Sequence, residues 1–255
     1  MQMINYLLLL GIGHFLGDFY FRNEKDDSHK SSDAKSRNTG YAEVILHSLK
    51  YAAAMILTII PVWSADMFLA AVYVFLAHFA IDTIKYLVVA KRKIRESGRI
   101  FIADQFMHMF SIFAIAYILY TWHFTIGHRE FISDILKAFG YAPVQVGRWI
   151  LACLVIHVPV NTLIQRFLGP YKRKEKDGVI RSDNRAGRKI GTIERLIMLI
   201  FLALNQYAAL GLVLTAKSIA RYDKIAKDEQ FAEYYLLGTL LSTLCVVLCK
   251  VIILG

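Results

Sequence analysis

Several uninterrupted apolar stretches in this chain reach about 20 residues, the length that an α-helix needs to cross a lipid bilayer. Apolar residues make up 56% of the sequence and charged residues 20%, and both values depart from those of soluble domains. Such a composition excludes a disordered, collagen-like or disulfide-scaffold protein. The sequence therefore predicts an all-α, polytopic transmembrane bundle that is surrounded by membrane lipids.

The apolar stretches predict seven spans, which polar loops separate. The spans are placed at about 3–21, 41–61, 66–90, 100–122, 145–168, 190–215 and 231–254. We predict four segments along the chain. They are a four-helix unit with a His/Asp cluster at 1–122, an external loop and fifth span at 123–168, a basic cytoplasmic loop at 169–189, and a two-span unit at 190–255.

The basic residues indicate how the chain is oriented in the membrane. Of the 30 Lys and Arg residues, 18 lie in the three alternate loops 22–40, 91–99 and 169–189. Basic loops remain in the cytoplasm, which predicts a membrane protein with its N-terminus outside and its C-terminus inside. The same distribution explains the net charge of +10 without a nucleic-acid partner. Residues 217–227 do not fit this topology, because their four basic side chains would lie outside. Either these side chains are functional, or spans six and seven are not both simple crossings.

Polar side chains recur inside the first four apolar spans, where each charged group costs at least about 2.5–3.5 kcal/mol on insertion scales. Spans one and three end at predicted cytoplasmic loops, and spans two and four begin from them. The polar groups should therefore share one slab near the cytoplasmic face. They are His14, Asp18, His47, His78, Asp82, Asp104 and His108.

A short repeat links these positions. The strings HFLGD (14–18) and HFAID (78–82) share the pattern HFxxD, and a histidine on the next helix follows each of them, His47 and His108 respectively. We interpret this as a parallel pseudo-repeat of two helical hairpins, a design that some transporters use.

Imidazole and carboxylate ligands together suit a divalent transition metal, with Zn²⁺ or Mn²⁺ the leading candidates. Seven candidate ligands exceed the needs of one tetrahedral ion, so we expect two ions, or one ion with an ordered second layer. Such a centre would activate water for hydrolysis, and we expect Lys85 and Gln105 to bind a phosphate or an oxyanion of the substrate. Two alternatives stay open, namely a proton- or cation-coupled transporter, and a non-catalytic membrane component whose His–Asp pairs only connect helices.

In the C-terminal half, Glu194 and Arg195 are expected to pair locally. Lys217 and Arg221 form a basic stripe that either ends a helix or contacts an anionic headgroup. The sequence leaves a homo-oligomer open and identifies no protein partner.

The chain resembles a family of bacterial integral membrane proteins that is catalogued as a domain of unknown function. The resemblance extends over nearly the whole chain, with its specific part near 14–18, 78–85 and 104–108, and it departs at Arg22, where glutamine is expected. A more distant resemblance, in ligand style alone, is to inner-membrane metal-dependent hydrolases and implies hydrolytic activity. The blocks that carry the family resemblance are GHFLGDF, AHFAIDTIK, ADQFMH, GTIERL, AKSIARY and EYYLLGTLLS.

Overall fold

The structure is a computed structural model that describes residues 2–22, 36–92, 98–127, 130–169 and 183–255. Throughout these residues the regular structure is helical and there is no strand. The helices are α1 (Gln2–Phe15), α2 (Ser36–Ile59), α3 (Ala65–Arg92), α4 (Gly98–Thr121), α5 (Glu130–Ala138), α6 (Pro143–Leu168), α7 (Asp183–Ala203), α8 (Tyr207–Ile219), α9 (Tyr222–Lys227) and α10 (Glu229–Cys249). Two π-helical turns, Leu16–Tyr20 and Lys250–Leu254, extend α1 and α10.

Within the described residues, five helices are long and apolar enough to cross a membrane. These segments are Tyr41–Val62, Ala65–Val89, Gly98–Thr121, Pro143–Leu168 and Glu229–Leu254. The first predicted span, 3–21, is helical but is not among the five. The predicted span 190–215 is not a single helix, because α7 ends at Ala203 and α8 begins at Tyr207. The all-α class and the membrane-type helices are thus confirmed, whereas the count of seven spans remains a prediction.

The chain divides into two compact units, Met1–Leu151 and Ala152–Gly255, with the boundary inside α6. In the first unit, α1 contacts α2 and α4, and α3 contacts α2 and α4. These four helices form a closed ring. The four segments predicted from the sequence are a separate division and remain a prediction.

The first unit is polar inside and apolar outside along part of its length. On α4, Asp104 and His108 are buried, whereas Phe106, Phe110 and Phe113 on the opposite side are more than half exposed. In water this arrangement would be unfavourable, because large apolar side chains normally fill the core. In a bilayer it is the expected one, since lipid solvates the phenyl rings and the ionisable groups face the bundle interior.

One end of the ring contains an apolar core, and the other end contains the polar residues. The core includes Leu10, Met55, Val74 and Ile112, one residue from each helix. One helical turn farther along the bundle, each helix carries a polar or aromatic residue in place of the apolar one. These residues are His14, Tyr51, His78 and His108, each four positions from the core residue on its own helix. The ring therefore gathers its polar side chains in one layer.

The connection between α2 and α3 closes the apolar end. Ser64 caps α3 by accepting a hydrogen bond from the Met67 amide at 3.1 Å. Asp66 accepts hydrogen bonds from the amide and hydroxyl of Thr125, both at 2.7 Å. The connection between α2 and α3 is a tight hairpin, and these bonds join it to the segment that follows α4.

Candidate metal centre

Two glycines let α1 approach α2 closely and so determine where His14 and Asp18 lie. A Cβ atom on Gly13 would lie 2.5 Å from the Met55 sulfur, and one on Gly17 would lie 2.6 Å from Cδ2 of Tyr51. The two glycines are four residues apart, and a small-xxx-small spacing of this kind supports close helix packing in membranes. The polar residues between and beside them are therefore held against α2.

Asp18 lies inside the π-helical turn that extends α1. The Phe21 amide donates to the Leu16 carbonyl at 3.0 Å, an i to i+5 bond in place of the usual i to i+4 bond. Single π turns of this kind occur frequently at functional sites because they change the direction of a side chain. Among the described residues, the Asp18 carboxylate lies within 4 Å of polar side-chain atoms of His47, His78, Arg22 and Gln105, whereas no ion pair joins it to His14 four positions earlier.

Five of the predicted ligands converge in the polar layer. The His47 Nε2 atom lies 3.2 Å from Asp18 Oδ1 and 3.5 Å from Asp82 Oδ2, so one imidazole joins both carboxylates. The His108 Nε2 atom lies 3.7 Å from Asp82 Oδ1. Two groups have ligand atoms that all lie within 4.8 Å of one another, namely Asp18, His47 and His78, and His78, Asp82 and His108. Their spacing is suited to one cation for each group.

His14 belongs to the same layer, although it is in neither group. Its ring centroid lies 5.3 Å from that of His108 and 5.9 Å from that of His78. His14 is fully buried, and its Nε2 atom has no hydrogen-bond partner among the described residues.

Unpartnered nitrogen atoms are the main chemical feature of this layer. Within the described parts of the chain, no hydrogen bond reaches His47 Nδ1, His108 Nε2 or either ring nitrogen of His78. Buried polar atoms nearly always have partners, so a group of exceptions needs an explanation such as a bound ion or water. His108 Nδ1 lies 2.9 Å from the main-chain carbonyl of Asp104, which can only accept a proton. Nδ1 therefore carries the hydrogen, and Nε2 presents a lone pair, the arrangement typical of a histidine that binds a metal.

The remaining predicted site residues are bonded to carboxylates. The Lys85 ammonium lies 2.6 Å from Asp104 Oδ2, and the Gln105 amide donates to Asp18 Oδ2 at 2.7 Å. The other oxygen of Asp104, Oδ1, has no hydrogen-bond partner among the described residues. In this conformation Lys85 and Gln105 orient two of the predicted ligands, and their contact with a substrate remains a prediction.

The sequence analysis missed Tyr51, which is fully buried in the polar layer. Its hydroxyl lies 3.3 Å from His14 Nδ1, and its ring stacks on His78 with centroids 3.7 Å apart. Two signals could have identified it. Tyr51 follows His47 by four residues on the same helical face, and the Gly13–Gly17 spacing predicts close contact at this level.

The second unit contains a separate polar cluster around Arg195, which is 2% exposed. The guanidinium donates to the Ile156 carbonyl at 3.1 Å, Asn161 Oδ1 at 2.6 Å, Thr192 Oγ1 at 3.2 Å and Ser242 Oγ at 3.4 Å. The predicted local pairing of Glu194 with Arg195 is wrong, because adjacent helical residues point in different directions. Glu194 instead pairs with Lys217 at 2.6 Å.

Arg195 lies beside the proline of α6 and bonds the carbonyl of Ile156, one residue after the Val155 carbonyl that Pro159 leaves without its helical donor. Pro159 has no amide hydrogen to donate to the preceding helical turn, and Arg195 donates to the carbonyl of Ile156 in that turn. Neighbouring side chains commonly satisfy main-chain groups at prolines in membrane helices. We therefore assign Arg195 to helix packing rather than to the metal centre.

Comparison with known proteins gives one match. The family model described as "Protein of unknown function (DUF3307)" matches residues 6–136. No curated protein and no solved structure matches the chain. The matched region contains the HFxxD strings and the ADQFMH block, whereas GTIERL, AKSIARY and EYYLLGTLLS lie outside it. Because the match covers more than half of the chain, the protein belongs to this family of unknown function.

Proposed function

We propose that the protein is a membrane-embedded, metal-dependent hydrolase whose centre opens near the cytoplasmic leaflet. One observation carries the proposal, the convergence of unpartnered imidazole nitrogens and carboxylates in one buried layer. A purely structural network would be expected to pair these atoms, because each unsatisfied buried group costs about 1–3 kcal/mol. Cations bound by the two three-residue groups would give partners to unpartnered nitrogens of His78 and His108.

Zn²⁺ or Mn²⁺ best fits this set of nitrogen and oxygen ligands. A divalent ion supplies Lewis-acid activation of water and neutralises charge that develops on the substrate. The residues that would hold it and its water are His14, Asp18, His47, His78, Asp82, Asp104 and His108. Gln105 fixes the Asp18 carboxylate, and the main-chain carbonyl of Asp104 fixes the His108 ring.

The substrate that we propose is a phosphorylated lipid or another amphiphile. The centre lies among apolar helices, which suits a substrate that carries an acyl chain. The side chain of Lys85 is 20% exposed and its ammonium already binds a carboxylate. A phosphate oxygen could replace Asp104 at that ammonium, which would place the headgroup beside the ligands.

Metal analysis of protein purified in detergent without chelators tests the proposal. We expect about one or two equivalents of a transition metal, and loss of this metal in a His78→Ala/Asp82→Ala double variant. His157→Ala, on α6 and outside the cluster, is the matched control and should keep the metal. Protein that lacks stoichiometric metal, and takes up none on addition, would end the hydrolase proposal.

A second candidate is a proton- or cation-coupled transporter. It is favoured by an unbroken series of titratable groups, each within 4 Å of the next, from Asp18 through His47, Asp82 and His108 to Asp104. Such a series can pass protons between the helices within this layer, and carboxylate and histidine chains of this kind form part of the proton paths of pumps.

Asp104→Asn separates these candidates, because it removes a charge and preserves the size of the side chain. In a hydrolase, we expect metal occupancy or turnover to collapse while the protein stays folded. In a transporter, pH-coupled transport should be lost and the metal content should not change. If both assays are unaffected and only thermal stability falls, the protein is better explained as a non-catalytic component of a complex.

For location, we propose the bacterial cytoplasmic membrane with the loops after α1, α3 and α6 in the cytoplasm. The support is the density of Lys and Arg in 22–40, 91–99 and 169–189. Impermeant thiol labelling of single cysteines at Ser64 and Ser97 should occur from opposite faces. External labelling at Ser97 would reverse the orientation.

A further inference from the structure

The helix break between α7 and α8 makes the chain reverse its direction. Asn205 adopts a left-handed conformation with φ of 58°, and the Gln206 amide donates to the Phe201 carbonyl at 2.8 Å. A left-handed Asn with such a bond is a recognised end of a helix. Helix α7 therefore ends before α8 begins, and the two are separate helices.

The ion pair between Glu194 and Lys217 shows that α8 returns alongside α7. The two residues lie 11 positions before and 12 positions after Asn205, and their charged atoms are 2.6 Å apart. The two helices contact each other. Near-equal distances from the turn are what an antiparallel helical hairpin requires.

The second arm of this hairpin is too short to cross a bilayer. Helix α8 has 13 residues, which corresponds to about 20 Å at 1.5 Å per residue, whereas the hydrocarbon core is about 30 Å thick. An apolar helix of this length is usually a buried core helix or a re-entrant or interfacial segment. None of the residues of α8 is buried, which favours the re-entrant or interfacial type. The chain that leaves α8 therefore emerges on the side from which α7 entered.

Three exposed cations follow α8 directly. Arg221, Lys224 and Lys227 are all exposed, and within the described ranges no carboxylate lies within 4 Å of their charged atoms. Asp223 is the one acidic residue in the sequence 221–227. The exposed apolar side chains of Ile219 and Tyr222, which are 70% and 69% exposed, lie beside them in the chain. The Lys224 ammonium lies over the Phe231 ring, 4.3 Å from its centroid, which leaves its charge without a neutralising carboxylate. Apolar anchors next to cations that no described carboxylate neutralises fit the boundary between acyl chains and acidic headgroups.

We propose that α7 and α8 form a re-entrant hairpin, and that Arg221, Lys224 and Lys227 bind anionic phospholipid headgroups on the membrane face where residues 169–189 lie. The 169–189 segment carries eight basic residues. With the hairpin, 217–227 joins the other basic segments on one face, and the exception to the charge rule disappears. Helix α10 then carries residue 255 to the opposite face, in place of the cytoplasmic C-terminus expected from seven simple crossings.

Thiol labelling tests the hairpin. Ala226 is exposed, so a single cysteine is introduced there in a Cys153→Ala/Cys245→Ala protein that keeps the buried Cys249. The parent without the Ala226 substitution measures background labelling. We expect an impermeant reagent to label Ala226→Cys from the same face as Ser182→Cys. Labelling from opposite faces would overturn the hairpin.

Lipid-dependent stability tests the binding surface. Wild-type protein in neutral detergent should be stabilised more by added phosphatidylglycerol than by phosphatidylcholine. The triple variant Arg221→Gln/Lys224→Gln/Lys227→Gln should lose this preference, with apparent affinity falling about fivefold for each cation removed. Asp223→Asn, in the same segment, should keep the preference. An unchanged preference in the triple variant would overturn the assignment of these cations to headgroups.

Discussion

A series of glycine-to-alanine substitutions on α1 and its π turn tests whether close helix packing positions the metal centre. At Gly17, the new Cβ would lie 2.6 Å from Tyr51 Cδ2 and 3.1 Å from Tyr51 Cα. The first distance is about 1 Å shorter than the optimum for two carbon atoms. Tyr51 cannot easily move, since its ring stacks on His78 and its hydroxyl contacts His14.

Gly11→Ala is the matched control, because its Cβ would meet the Leu151 methyl groups at an ordinary 3.7 Å. Alanine is favoured over glycine in helices by about 1 kcal/mol at either position, so this gain largely cancels in the comparison. The difference between the two variants is then the cost of overpacking, about 1–3 kcal/mol. Gly13→Ala should fall between them, since its neighbour is the flexible side chain of Met55.

Thermal unfolding and metal content of the three variants in one detergent provide the assay. At about 2–4 °C per kcal/mol for a chain of this size, Gly17→Ala should unfold roughly 2–12 °C below Gly11→Ala. It should also lose metal, because Tyr51 supports two of the ligand histidines. Equal melting temperature and equal metal content in Gly17→Ala and Gly11→Ala would refute the idea that this contact positions the site.

Three further predictions concern single side chains. Tyr51→Phe keeps the ring on His78 but removes the hydroxyl beside His14, so we expect metal affinity in a chelator competition to fall about 10–100-fold. Arg195→Lys should lower the melting temperature almost as much as Arg195→Ala while metal content is unchanged, because a single ammonium cannot reproduce the guanidinium fork; rescue of stability by lysine would contradict this. Lys85→Gln should leave a bound metal in place and raise KM for a phosphorylated amphiphile, and an unchanged KM would exclude Lys85 from substrate binding.

The sequence predicted which polar residues would converge, because helix periodicity and depth are both readable from it. The two HFxxD strings end four and nine residues before a basic loop, so both lie within about two and a half helical turns of it, and the histidine of the following helix lies at a similar depth. A closed four-helix ring brings such residues together even when the order of the helices around it is not predicted. The predicted depth in the membrane thus indicated which residues, distant in the sequence, lie close together in the fold.

The detailed contacts were not predictable in the same way. The two HFxxD strings look equivalent, but Asp18 lies in a π turn, whereas Asp82 lies in regular α-helix and its Oδ2 atom is 3.7 Å from His78 Nδ1. Hydropathy also joined 190–215 into one span, because the three residues that break it, Leu204 to Gln206, hardly alter an average over about 20 positions. Local main-chain hydrogen bonds determine both the π turn and the helix break, and the spacing of apolar residues does not reveal these bonds.

His78 limits how many ions the centre can hold tightly. Its Nε2 atom lies 3.9 Å from Asp18 and its Nδ1 atom 3.7 Å from Asp82, so each ring nitrogen faces a different three-residue group. A neutral imidazole has one lone pair, since its other nitrogen carries the proton. A first ion would therefore select a tautomer and leave the other group without its histidine, and a second ion would have to displace that proton. Metal titrations should show one tight equivalent followed by a weaker one whose uptake releases an additional proton.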